Sequence, residues 1–202
     1  MDPAAWDARY GEAGRVWSAE PSRFLVETFS ALPAGSVLDV GTGEGRHATW
    51  LASRGWTVTA VDFSAEAIRK ARELQRDHAP ATVGRIEWVR ADVVAEPPRP
   101  AAYDAVVVLY LHLPAQHRRQ VLRGAAEALA PGGTLLVVGH DSANLAEGVG
   151  GPQDPAVLFT AGDVVEDLAG AHVRILRAER VARPVGDDGA AALDAVVVAR
   201  RP

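Results

Sequence analysis

The sequence predicts an α/β fold in which a mostly parallel sheet is covered by helices. Short β-rich runs alternate with amphipathic stretches through most of the chain, the pattern of strands joined by crossover helices. The run YDAVVVLYLHL is apolar on both sides of its alternation, as a central strand buried on both faces must be. Between the first such run and the next amphipathic stretch lies Gly41-Thr42-Gly43-Glu44-Gly45, the kind of glycine loop through which these folds hand a strand to a helix.

The elements follow in order. SVLDV reads as the first strand, and the stretch from about Arg46 to Arg54 as a helix ended by Gly55. WTVTAVD is the second strand, and SAEAIRKARELQRDH a helix capped by Ser64. Ala67 leaves the capping box incomplete, while Glu66 favours the first turn through the helix dipole. RIEWVRAD gives a third strand, after which Pro97-Pro98-Arg99-Pro100 breaks the chain before YDAVVVLYLHL. Pro114 starts the helix carrying RRQVLRGAAEAL, and Pro131-Gly132-Gly133 turns the chain into a fifth strand, TLLVVGH. DSANLAEGVGGPQDPAVLF then has little periodicity, and long loops of this kind are functional or disordered. A short helix from about Asp163 to Leu168 leads to AHVRILRAERVAR and AALDAVVVAR, joined by PVGDDG and expected as an antiparallel pair at one sheet edge. Without an internal repeat or a linker, residues 1–202 are expected to form one domain.

Composition excludes several chemistries. The 202 residues are 48% hydrophobic and 23% charged, typical of a globular domain with a real core. A formal net charge of −5 argues against a nucleic-acid partner, which selects for a basic face. With no cysteine there is no disulfide, thiolate metal site or cysteine nucleophile. The opening residues lack the apolar core of a signal peptide, and no run reaches the ~18 apolar residues of a membrane span, so a cytoplasmic protein without a membrane partner is expected.

The glycine loop poses the question of its ligand. In the dinucleotide fingerprint G-x-G-x-x-G the helix N-terminus receives a pyrophosphate. Here the spacing is G-x-G-x-G and Arg46 stands in the place of the third glycine. Asp39 and Glu44 would repel a pyrophosphate but favour a ligand carrying an ammonium and a sulfonium, which is S-adenosylmethionine. The loop residues Gly41, Thr42 and Gly43 would then hold the cofactor, against the plainer reading of a ligand-free turn. Asp62, at the end of the second strand, is placed to accept hydrogen bonds from two ribose hydroxyls, or else caps the next helix. Asp92 could accept from the adenine amine while the Val93 amide donates to the ring, though Asp after a strand is also an ordinary turn residue. Leu109 to His112 would pack the ligand at the carboxyl edge of the sheet.

Taken together, VLDVGTGEGR, the acid in AVDFS, RAD and LYLHLP resemble the class I S-adenosylmethionine-dependent methyltransferases over roughly Ser36 to Gly139. The opening WDARYGEAGRVWSAEPSRFLVE is similar to the small tellurite-resistance-like methyltransferases, which fold this segment over the cofactor. The resemblance implies a Rossmann-like fold with a seven-stranded, mostly parallel sheet, helices on both faces and an antiparallel strand at one edge. It also implies residues 1–35 as a cofactor-covering segment, 36–139 as the cofactor-binding core, and 140–202 as substrate loop and C-terminal β pair. Phe63 beside Asp62, and Trp17 and Arg23 in the covering segment, join the implied cofactor contacts, the last two being equally readable as a hydrophobic anchor and a surface charge.

His112 ends the fourth strand, and His140 and Asp141 end the fifth, so these three are the catalytic candidates; each also reads as a core histidine or a turn residue. Gln153 and Asp154 lie in a loop that covers a substrate cavity or is simply rigid, and His47 faces solvent or the cofactor without an assigned role. No local ligand spacing supports a metal. The expected function is methyl transfer from S-adenosylmethionine, leaving S-adenosylhomocysteine, to a small molecule by a monomer or homodimer. The alternatives are a non-catalytic cofactor sensor and an NAD-dependent oxidoreductase.

Overall fold

Each strand found in the sequence forms in the computed structural model, which describes residues 3–12, 14, 18, 20–186 and 189–202. The strands make a seven-stranded sheet in the order β3-β2-β1-β4-β5-β7-β6, and the residues divide into two units, Met1–Glu96 and Pro97–Pro202.

In the first unit, α1 (Pro3–Glu12) and α2 (Arg23–Phe29) precede β1 (Ser36–Val40), α3 (Arg46–Ser53), β2 (Thr57–Asp62), α4 (Ala65–His78) and β3 (Ile86–Arg90). β2 pairs in parallel with both β1 and β3. Neither N-terminal helix was expected, because α1 carries no clear apolar stripe; α2 nevertheless buries Phe24 and Leu25 completely, and Phe29 packs 5.4 Å from Trp56 between ring centroids. Ser64 caps α4, its hydroxyl oxygen accepting from the Ala67 amide at 3.0 Å. The carboxylate missing from that capping box comes from α1: Asp7 accepts from the Ser64 hydroxyl and from the Glu66 amide. The Ser64 bond is also what holds the Asp7 carboxyl below its ordinary range.

The second unit runs β4 (Tyr103–Leu109), α5 (Ala115–Ala128), β5 (Leu129–His140), α6 (Asn144–Glu147), α7 (Ala161–Asp167), β6 (Arg174–Pro184) and β7 (Ala191–Arg200). Ala105 to Leu109 are all buried, as a two-sided apolar strand requires. Pro131-Gly132-Gly133 does turn the chain, but as an excursion within β5: the β4 register passes from Leu129 to Thr134, and Gly132 has φ 80°. β7 runs antiparallel to both β5 and β6, so the reversed strand lies one place in from the edge and β6 forms the edge itself.

The segment after β5 is more ordered than its composition suggests. Buried Asn144 donates to the Gly150 carbonyl at 2.9 Å and accepts from the Leu193 amide at 2.7 Å, tying the loop to β7. α7 begins with a full capping box between Thr160 and Asp163. Asp167 then joins α7 to α5, accepting from Arg118 Nε at 2.7 Å and Arg119 Nε at 3.0 Å. Among the described residues no helix is long and apolar enough to cross a membrane.

Candidate active site

Two groups of polar side chains stand out, one in each unit. In the first unit the chain leaves β1 through Gly41, Gly43 and Gly45, at φ 71°, 55° and 79°. The Gly41 and Thr42 amides both donate to the Val61 carbonyl at 2.9 Å, fastening the loop to β2. Asp39 is 1% exposed and accepts from Thr42 Oγ1 at 2.7 Å. Burial pushes its carboxyl up to about 6, against the Thr42 bond, and the Asp62 charge pushes the same way.

Asp62 is also buried, and each of its oxygens serves the backbone. Oδ2 accepts from the Gly43 amide at 2.8 Å and Oδ1 from the Ser64 amide at 2.9 Å. Burial raises its pKa despite these two bonds. A carboxylate oxygen accepts more than one hydrogen bond, so Asp62 both shapes the loop and retains capacity toward a ligand. Glu44, read from sequence as a charge that favours a cationic ligand, already faces a cation, since Lys70 Nζ lies 3.8 Å from its Oε1 and also reaches the Gly14 carbonyl at 3.3 Å.

The remaining cofactor candidates are more exposed. Phe63 is partly buried, and its carbonyl accepts from Arg90 at 3.3 Å. Asp92 is exposed and accepts from the Val94 amide at 2.9 Å, making an Asx turn at the end of β3, with Val93 partly buried inside it. Arg23 is exposed at the start of α2, with its guanidinium 4.7 Å from the Phe24 ring centroid. Trp17 lies outside the described residues. His47, read as facing solvent or cofactor, is 4% exposed, so the solvent alternative is corrected: the helix start turns it inward, and its Nε2 has no hydrogen-bond partner. Burial holds its pKa well below the ordinary histidine value.

In the second unit, Leu109 closes β4 as a buried residue and Tyr110 follows at φ 58°, a strained conformation for a residue with a side chain. That turn brings three aromatic rings together. His112 stacks on His140 with centroids 5.4 Å apart, and Tyr110 lies 5.4 Å from His140. His112 Nε2 accepts from the His140 backbone amide at 3.1 Å, and burial, with His140 nearby, pushes its pKa down to about 4. Burial lowers His140 as well, opposed by Asp194 and assisted by Arg183. Asp141 is 3% exposed and accepts from the Ala143 amide at 2.9 Å, opening the turn into α6. Gln153 and Asp154 are exposed in the following loop, where Asp154 caps a single 3-10 turn through the Ala156 amide.

Sequence reasoning missed Asp194 and Arg183. Asp194 faces His140 across the β5–β7 register, and accepts from Arg183 Nε at 2.6 Å and from the Tyr110 hydroxyl at 3.2 Å. No local motif marks these residues; an Asp inside the apolar run AALDAVVVAR was the available signal, since a buried carboxylate needs partners.

The first group favours a ligand that presents hydrogen-bond donors or positive charge, because Asp39 and Asp62 beside the glycine loop are buried carboxylates. Residues 37–133 match the family described as methyltransferase domain. The chain is 33% identical over 135 residues to the ubiquinone biosynthesis O-methyltransferase of Xanthomonas campestris pv. campestris, covering 65% of this chain and 54% of that protein. It is 30% identical over 154 residues to glycine N-methyltransferase of Oryctolagus cuniculus, covering 64% and 52%. Thus the chain spans about half the length of these curated relatives. The solved structure of TehB from Haemophilus influenzae superposes with a TM-score of 0.72 at 18% identity, over 99% of this chain and 67% of that one.

Proposed function

We propose that this chain, which belongs to the class I S-adenosylmethionine-dependent methyltransferases through its domain at residues 37–133, transfers a methyl group from S-adenosylmethionine to a small-molecule acceptor. The observation that carries the reading is the pair of buried carboxylates, Asp39 and Asp62, bonded to the glycine loop that joins β1 to α3. A pyrophosphate would meet repulsion there. A ligand with an ammonium, a sulfonium and ribose hydroxyls can present positive charge and donors to these two carboxylates, so the residues present fit S-adenosylmethionine. When bound, the cofactor supplies an electrophilic methyl group.

In this reading Asp62 holds the ribose hydroxyls, Asp39 provides negative potential, and Gly41, Thr42 and Gly43 supply the backbone against which the ligand lies. Phe63, Asp92, Val93 and Leu109 complete the candidate contacts. Residues 1–35 act as the covering segment, with Asp7 anchoring α1 to the start of α4. His112, His140 and Asp141 are the candidate groups toward the acceptor. The two curated relatives are named for transfer to oxygen and to nitrogen, so their names leave the acceptor atom open.

The direct test is transfer of labelled methyl from S-adenosylmethionine into a cell extract that is then divided into small-molecule and macromolecular fractions. Label in small molecules is the expected result. Label confined to macromolecules would overturn the acceptor class, and cofactor binding without transfer would favour a sensor module.

A second expected result follows from Asp39. Its carboxyl is raised to about 6 in the free chain, and a cationic ligand favours the ionised form. Affinity for S-adenosylmethionine should therefore rise with pH through about 6 and level off above it, with roughly tenfold weaker binding one unit below. The stability contribution has the opposite sign: it is full below the ordinary carboxyl pKa and lost as pH rises through about 6, so the bound ligand relieves a charge that folding disfavours. Equilibrium titration from about pH 5 to 8, a range that brackets that pKa, checks this, and Asp39→Asn should flatten the rise. A pH dependence unchanged in that variant would assign it elsewhere.

A further inference from the structure

We propose that Asp194 is a positioning residue that fixes the proton of His140 on Nδ1, leaving His140 Nε2 as the general base for a hydroxyl-bearing methyl acceptor. This rests on the methyl-transfer reading above and names its acceptor class.

The geometry begins with the sheet. His140 and Asp194 are directly paired across antiparallel β5 and β7, which sends both side chains to the same face. His140 Nδ1 and Asp194 Oδ1 lie 3.4 Å apart, and each is buried without a hydrogen-bond partner. That separation exceeds a good hydrogen bond, yet the two atoms have only each other to satisfy them. A lone pair on Nδ1 facing a carboxylate oxygen would be repulsive, so the neutral ring carries its proton there.

The other carboxylate oxygen is held independently. Oδ2 takes Arg183 Nε at 2.6 Å and the Tyr110 hydroxyl at 3.2 Å, so Asp194, which is fully buried, cannot turn away from His140 without losing both. Arg183 comes from β6, Tyr110 from the strained turn after β4, and His112 stacks on the His140 ring. Asp141 and Arg180 lie beside this group, 4.0 Å apart. The charged and titratable groups around His140 are thus Asp194, Arg183, Tyr110, His112, Asp141 and Arg180.

His112 is unsuited to be the base itself. Its Nε2 accepts from the His140 amide at 3.1 Å, so the lone pair that would take the proton is already engaged. His140 Nε2 is different, because it lies under Gly151. A Cβ at that position would come within 2.9 Å of Nε2, so Gly151 at φ 76° packs its backbone against the ring, while the His140 side chain keeps 12% of its surface exposed. The loop read from sequence as covering a substrate cavity or as simply rigid thus packs against the ring that carries the basic nitrogen.

Why a hydroxyl? A thiol ionises with little help, and an ammonium is too weak an acid for a histidine whose burial keeps it less basic than usual. A hydroxyl becomes acidic only as its bond to carbon forms, which is when a positioned neutral imidazole is useful. The acceptor oxygen forms the new C–O bond, the electron pair of the breaking C–S bond stays on sulfur, and the hydroxyl proton passes to His140 Nε2 and then to solvent.

The experiment has two arms. Nitrogen-15 NMR of the ligand-free wild-type chain should show neutral His140 protonated on Nδ1; protonation on Nε2 overturns the proposal, whatever the variants do. In the second arm, labelled methyl transfer into the small-molecule extract is compared for wild type and Asp194→Asn across pH. Loss of the carboxylate should lower the turnover rate by about 100-fold or more, the scale at which general-base assistance contributes, with S-adenosylmethionine affinity unchanged. Because Asp194 raises the His140 pKa, the acid limb of the rate profile should also move to lower pH in the variant. A purely structural brace would not move that limb. Equal turnover in the variant, or label recovered on sulfur or nitrogen, overturns the proposal and leaves methyl transfer standing, whereas failure of the wild-type chain to bind S-adenosylmethionine overturns the reading beneath both.

Discussion

Asp62→Ala is expected to weaken S-adenosylmethionine binding by roughly 100-fold or more. A hydrogen bond to a charged group is worth about 1.5–3 kcal/mol, and a carboxylate serving two ribose hydroxyls loses two of them, hence roughly 3–6 kcal/mol or a factor of 10²–10⁴. The structure adds a second route to the same loss. Because Asp62 accepts from the Gly43 and Ser64 amides, its removal also frees the glycine loop and the entry to α4. A ligand analogue lacking one ribose hydroxyl separates the two. Direct contact predicts that the analogue binds more weakly to the wild type but loses nothing further in Asp62→Ala. An equal penalty in both proteins would reduce Asp62 to a support for the loop. Calorimetric titration of the four combinations supplies the cycle.

What the sequence made legible here was local. The glycine loop, Asp39 and Asp62 occur within one strand-loop-helix-strand unit, so spacing alone placed them together, and the backbone bonds from Gly43 and Ser64 to Asp62 follow from that proximity. The apolar run ending at Leu109 was readable because burial on both faces leaves its own pattern. Groups assembled by tertiary contact were not readable in this way. Asp7 completes the cap of α4 from a helix whose sequence shows no strong amphipathic period. Lys70 reaches back to Glu44 from the second turn of α4, which changes the charge balance the loop was credited with. Asp194 meets His140 only through the β5–β7 register, which no spacing rule encodes. Asp141, by contrast, was noticed beside His140 because it is adjacent in sequence, although the hydrogen bond it makes opens the turn into α6.

Gly45 carries the largest stability prediction. In the dinucleotide fingerprint a third glycine allows close packing of helix on strand, and Arg46 stands in that place here. The structure gives close packing to Gly45 instead: a Cβ there would lie 2.3 Å from Trp88 Cη2 and 2.8 Å from Cζ3, on the ring carried by β3. The ring has little freedom to retreat. Its Nε1 donates to Gln75 Oε1 at 2.9 Å, and Gln75 is buried and itself donates to the Thr82 carbonyl and hydroxyl at 3.0 and 3.2 Å. Gly45 also sits at φ 79°, where any side chain is strained. Left-handed strain of about 1–2 kcal/mol and overpacking of about 1–3 kcal/mol add to roughly 2–5 kcal/mol for Gly45→Ala, a large part of the ~5–15 kcal/mol that stabilises a typical domain. Urea unfolding followed by tryptophan fluorescence measures it. Adding Trp88→Leu should recover the overpacking share but not the backbone share, so the double variant is expected to be more stable than the two single effects summed. A Gly45→Ala cost below about 1 kcal/mol would mean that the ring yields, and that the close approach of loop and third strand is not fixed by this glycine.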